Sequence, residues 1–160
     1  MSDPQPVAQA DRQTFPGLMP QEVAVLREWL RIHESEYDSF DYNVRVGVGT
    51  DPGPTYDATM RQMSLDVTRK RIDAVAIKGS DVTLIEVKKR ATLSAVGQVV
   101  AYKTLWNNDN PLRPASRLLL VAAAFDPDVM PVLAANAVDY AIVAWNPLLI
   151  PQRQFPTKGV

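Results

Sequence analysis

The 160-residue sequence has no cysteine and one histidine, His33. The first absence removes disulfides, thiolate zinc centres, iron–sulfur clusters and thiol nucleophiles together. The second would leave a single imidazole to carry any histidine-based metal site or Ser/His/Asp relay, so His33 reads as a helix-surface or packing residue. No apolar run approaches the roughly 20 residues needed to span a bilayer, and no membrane partner is expected. Met1 to Met19 is polar and carries prolines, without a basic flank followed by an apolar core, so no secretory signal is expected. A reducing, cytoplasmic setting fits, with a component of a virus particle as the alternative. Glycine is scarce, and although Gly47, Gly49 and Gly53 fall together in VGVGTDPG, no Gly-Lys-Ser/Thr follows, which excludes a phosphate-cradling loop.

Net charge is also small, −1 overall, but it is unevenly placed. Between Arg69 and Lys103 lie eight basic residues and three acidic ones, so this stretch is +5 and the remainder −6. A basic centre in an acidic shell would hold a polyanion at one place, although solvated strand ends and turns would give the same count.

The length fits one domain. Residues 1–17, with Pro4, Pro6 and Pro16, read as an extended arm that could dock on a protein partner or a second copy; residues 18–150 read as the domain and 151–160 as a tail. Pro20 suits the first turn of a helix reaching about Glu34, with Val23, Leu26 and Leu30 on one stripe. Phe40 to Val48 alternates as a strand, and Thr50 to Ala58, with two prolines and a glycine, opens a long loop. Arg71 to Lys78 and Asp81 to Lys89 are β-forming runs joined by Gly79-Ser80, a two-residue hairpin signal. A helix over Thr92 to Trp106, a strand over Arg117 to Phe125, a helix over Asp126 to Ala137 and a strand over Tyr140 to Trp145 complete the order. The expected fold is α/β, a mixed central sheet of about five strands flanked by helices.

With Gly79 and Ser80 as the turn, Lys78 pairs with Asp81, and counting back sets Asp73 across from Glu86 and Arg71 across from Lys88. Directly opposed side chains lie about 4.5–5.5 Å apart, a destabilising separation for two carboxylates unless something compensates. A divalent cation is one compensation. A cross-strand salt-bridge set with Lys88 and Arg71 is the other, and position alone does not choose between them.

The stretch RIDAVAIKGSDVTLIEVKKRATLSAVGQVVAYKTLW resembles the PD-(D/E)xK nuclease superfamily, in which an acidic residue on one strand precedes Glu-x-Lys on the next. Those positions are Asp73, then Glu86, Val87 and Lys88, with Ile72-Asp73 in place of the literal Pro-Asp. Gln98 and Tyr102, four apart on the following helix, match the QxxxY motif of the RecB-like branch. The resemblance covers roughly Val23 to Trp145 and implies a restriction-endonuclease-like αβββαβ core followed by αβ. It further implies that Asp73, Glu86 and the Val87 carbonyl hold Mg²⁺ or Mn²⁺, that Lys88 orients the attacking water or stabilises developing charge, and that Gln98 and Tyr102 brace the site or contact the nucleic acid. Such chemistry requires neither histidine nor cysteine. A first-helix acid is common in the superfamily; Glu22 and Glu28 both qualify.

The function expected is metal-dependent hydrolysis of DNA phosphodiesters, with Arg69, Lys70, Arg71, Lys89 and Arg90 as backbone contacts. The alternative is a non-catalytic structural or DNA-binding module with the same fold inside a larger, virus-particle-like assembly. An enzyme acting on small phosphate esters ranks third, because no small-ligand signature accompanies the cluster.

Overall fold

A computed structural model describes residues 8–12 and 14–151. The elements are α1 (Pro20–His33), β1 (Ser39–Val46), α2 (Ala58–Thr68), β2 (Lys70–Lys78), β3 (Asp81–Ala91), α3 (Leu93–Asp109), β4 (Arg117–Phe125), α4 (Val129–Ala135) and β5 (Asp139–Ile142). They form an α/β fold around one five-stranded mixed sheet in the order β1-β2-β3-β4-β5. The first three strands are antiparallel neighbours, and β3, β4 and β5 run parallel. A two-residue turn joins β2 to β3 and the segment carrying α2 joins β1 to β2, whereas the parallel steps need crossovers, which α3 and α4 supply.

Each face has its own core. On one side α1 buries Val23, Leu26, Trp29 and Leu30 against Ala74, Ala76, Ile85, Val87, Leu119 and Val121. On the other, α3 and α4 bury Val96, Val99, Val129 and Leu133 against Val75, Val82, Leu84, Leu118 and Leu120. A strand covered on both sides must be apolar throughout, which is why β4 reads as a near-continuous apolar run. Each fully buried Leu, Ile or Val in these layers contributes roughly 1.5–3 kcal/mol.

Two stretches differ from the sequence expectation. Helix α2 lies where a loop was expected. Asp57 caps it by accepting from the Met60 N–H at 2.8 Å, yet it buries no residue, and Met60, Met63 and Val67 face solvent. Its apolar spacing therefore has no core to point at. The N-terminal stretch, expected as an extended arm, instead forms a short 3-10 turn at Gln9–Asp11 and buries Ala10 and Phe15 in the α1-side core, with Phe15 edge-on to Tyr42. Residues 1–7 of the expected arm and residues 152–160 of the expected tail lie outside the described residues.

Candidate active site

The hairpin register is the one the Gly79-Ser80 turn dictates: Lys78 pairs with Asp81, and pairing runs back in step to Ala74 with Ile85. There the β2–β3 ladder ends, one position short of Asp73 and Glu86. The β1–β2 ladder also skips a position, leaving Asp73 unmatched opposite Asn43, whose φ of 54° is left-handed. Sidedness changes at the same place. Phe40, Tyr42, Ala74 and Ala76 pack on the α1 side, whereas Val44, Val46 and Ile72 pack on the α3 side. Strict alternation cannot produce that pattern, so the strands shift face at Asn43 and Asp73. Freed from the ladder, Asp73 uses its own Oδ2 to accept the Val87 N–H at 2.8 Å, satisfying a backbone donor that lacks a strand partner there.

Glu86 lies beside it and is 1% exposed. Its Oε1 meets the Lys88 ammonium at 2.5 Å, while its Oε2 is buried without a hydrogen-bond partner among the described residues. Lys88 also reaches Glu22 Oε1 at 3.4 Å. Glu22 occupies this position because α1 lies across β3 and its first turn is tied down: Glu22 Oε2 accepts the Met19 N–H at 2.9 Å. Of the two first-helix acids, Glu22 reaches Lys88, whereas Glu28 pairs with Arg31 at 3.3 Å.

The electrostatics follow from this crowding. Burial raises the Asp73 carboxyl well above the usual aspartate range, although the Val87 N–H and Lys88 pull it down. Burial, then repulsion from Asp73, raises Glu86, with Lys88 opposing. Burial disfavours the Lys88 ammonium, but Glu86, Asp73 and Glu22 together win and raise it. Tyr102 of α3 is buried at the same spot, its phenol pushed up by burial and by the two carboxylates, and so is held as a neutral hydroxyl. Fully ionised, three carboxylates against one ammonium leave −2.

The orphaned Glu86 oxygen, and the excess the cluster carries once both raised carboxyls give up their protons, fit a hard dication. Among the described residues no three acidic or histidine side chains form a closed cage. Mg²⁺ does not require one: it is commonly held by one or two carboxylates and keeps several waters. Asp73 and Glu86 would supply those carboxylates.

Next to this cluster, Glu22 and Lys88 border an open groove of about 560 Å³ whose walls also include Pro20, Gln21, Lys89, Arg90 and Ile150. The expected outer residues divide. Lys89 and Arg90 reach the groove; Lys89 lies 4.6 Å over the Trp145 ring and Arg90 pairs with Asp126 at 2.6 Å. Lys70 and Arg71 are exposed on β2, but Arg71 sits across from Arg45 of β1 rather than from Lys88, because β2 and β3 have already parted. Arg69 is not a free cation: it donates to Gly47 O at 2.7 Å and meets Asp109 at 3.2 Å, tying β1 to the end of α3. Gln98 is exposed and makes no side-chain hydrogen bond among the described residues, so of the Gln98 and Tyr102 pair only Tyr102 stands at the carboxylates. Trp145 went unnoticed as a site residue. An aromatic beside a prolyl turn was its only signal.

No protein-family model and no curated protein matches the sequence. Among solved structures, the chain is similar to a repair endonuclease from Pyrococcus abyssi, at 18% identity and TM-score 0.41 over 48% of this chain. It is also similar to EndoMS in a complex with dsDNA, at 14% identity and TM-score 0.49 over 81% of this chain. The matched regions make up 34% and 47% of those two chains, so this chain spans less than half of either.

Proposed function

We propose that the chain is a Mg²⁺- or Mn²⁺-dependent nuclease of the RecB-like branch of the PD-(D/E)xK superfamily, hydrolysing DNA phosphodiester bonds. One observation carries the reading: Glu86, a carboxylate buried almost completely, stands beside Asp73 with one oxygen unpartnered among the described residues. Burying such a group without compensation is costly, and a bound dication turns the cost into affinity.

In this reading Asp73, Glu86 and the Val87 carbonyl hold the ion. When bound, it would activate water and offset charge building on the phosphate. Lys88, anchored by Glu86 and Glu22, presents a positive charge toward the scissile phosphate and steadies the negative charge that grows there. The Val87 N–H fixes Asp73 in one rotamer, and Tyr102, kept neutral, packs behind both acids and limits their movement. Lys89 and Arg90 attract the polyanion into the groove.

A second reading has its own observation. The 2.5 Å Lys88–Glu86 pair already compensates one carboxylate, as it would in a non-catalytic module that keeps the fold and binds DNA without cutting it. The two are separated by incubating wild type and Lys88→Ala with labelled single- and double-stranded DNA, in Mg²⁺, in Mn²⁺ and in chelator. Divalent-dependent cutting that disappears in the variant supports the enzyme. Cutting equal in both proteins comes from a contaminant and counts against it, and binding without cutting selects the module.

A further inference from the structure

Where β1 ends and β2 begins, two arginines stand directly opposite each other. Arg45 of β1 and Arg71 of β2 are register partners, and both are exposed. Val44, Val46 and Ile72 beside them pack into the α3-side core, so alternation turns both arginines to the other face of the sheet. Helix α1 lies over that face at β3 and β4. Opposed side chains are about 4.5–5.5 Å apart at their Cβ atoms, a separation at which like charges repel. Other arginines at the surface have acids: Arg61 has Asp51, Arg69 has Asp109 and Arg90 has Asp126. The side chains of Arg45 and Arg71 have no hydrogen bond or ion pair among the described residues. The nearest acid along β2, Asp73, accepts the Val87 N–H and is balanced by Lys88.

We infer that Arg45 and Arg71 together clamp one backbone phosphate of the nucleic acid, a contact separate from the phosphate that meets the carboxylates. The inference rests on the nuclease reading and adds a binding site to it. Arg71 alone was an expected backbone contact; its partner on β1 is the new member. An opposed pair of like charges weakens a ladder, and an anion seated between them reverses the sign of that interaction. A guanidinium presents a planar fork that fits two phosphate oxygens at once, so forks from adjacent strands can grip one phosphate from two sides. Position identifies the source of that phosphate. Arg71 precedes Asp73 by two residues, about 6–7 Å along the strand. One strand of a nucleic acid carries a phosphate every ~3.4 Å of helix axis, so a chain whose reacting phosphate lies at Asp73 brings another within reach of both arginines. A contact of this kind adds affinity without reading sequence.

The test follows labelled DNA oligonucleotides by fluorescence anisotropy, in chelator so that nothing is cut, over a series of salt concentrations. Arg45→Gln and Arg71→Gln are each expected to weaken binding about tenfold at low salt and to lower the slope of log affinity against log salt by about one, equally on unrelated sequences. Arg61→Gln, which removes a surface charge of α2, should stay within about twofold of wild type. Thermal melts of the Arg45 and Arg71 variants should lie at or above wild type, because each substitution relieves the opposed pair. Binding within about twofold of wild type, or no weaker than that of Arg61→Gln, overturns the inference, as does a wild type that binds no DNA. A fall in Tm that accompanies the lost affinity assigns the arginines to folding and also overturns it. Inorganic phosphate separates the sources: if it raises the wild-type Tm but not that of the double variant, while DNA binding ignores both substitutions, the occupant is free phosphate and the nucleic-acid clamp falls. Divalent-dependent cutting that both variants retain in full would sink the clamp and leave the nuclease standing. Arginine-dependent binding with no cutting under any divalent ion would leave the clamp and sink the nuclease.

Discussion

The β2–β3 hairpin has two ends that handle charge in opposite ways. At the turn, Lys78 and Asp81 are paired in register, exposed, and close over Gly79, whose φ of 56° suits the tight reversal. The hollow there, about 420 Å³ beside Tyr37, Thr83 and Arg117, has its charges at the surface, where water solvates them and Asp139 neutralises Arg117. At the far end the ladder stops, β2 changes face, and Glu86, Asp73 and Lys88 are drawn inside together. Regular pairing makes the first end a scaffold. Broken pairing makes the second a place where carboxylates endure burial that folding alone would not favour.

The largest expected break of this contrast is chemical. Lys88→Ala or Asp73→Asn should lower divalent-dependent cutting by about a thousandfold in a labelled-DNA assay, the scale of losing a preorganised charge at the reacting phosphate. Asp81→Ala at the turn should leave cutting within about twofold, a residual well inside ordinary surface tolerance.

The next effect is on stability. Because the folded chain raises the Glu86 carboxyl, it retains a proton that the unfolded chain has released, so stability falls as pH climbs from the ordinary glutamate range toward the raised value. Glu86→Gln should reduce that slope, leaving the part that the raised Asp73 carboxyl contributes, and, in chelator at neutral pH, stabilise the protein by about 1–3 kcal/mol in thermal melts. Saturating Mg²⁺ should raise the wild-type Tm, by about 2.7 kcal/mol of added stability at a hundred times Kd, and leave the variant's unchanged. A wild type whose stability does not fall across this pH window would contradict the buried-charge account.

Smaller effects belong to the turn. Gly79→Ala keeps open space around the new methyl but must hold the left-handed backbone, so a loss of about 1 kcal/mol in urea melts is expected. Asp81→Ala should cost no more than about 0.5 kcal/mol, since its charge is solvated in both states.

Much of this contrast was legible in the sequence. The Gly79-Ser80 turn set the register back to Ala74 and Ile85, one position short of the Asp73 and Glu86 that counting placed opposite each other. The hairpin signal marked β3, the continuous apolar run marked β4, and Pro20 marked the start of α1. The break at Asn43 and Asp73 was not legible, because a change of face depends on how two strands and both cores accommodate one residue. That same break is why Arg71 does not meet Lys88. Glu22 could not be separated from Glu28 by spacing, since the angle at which α1 crosses β3 decides it. Helix α2 buries nothing, so the signal that finds most helices was absent. The free or tied state of Arg69 likewise depends on where Asp109 lands at the end of α3.

Isothermal titration calorimetry of Mn²⁺ into the metal-free protein tests the central claim most directly. One ion bound per chain, with affinity lost in both Asp73→Asn and Glu86→Gln and retained in Asp81→Ala, is the predicted result. No saturable binding to the wild type at millimolar Mn²⁺, or binding indifferent to both substitutions, would contradict it.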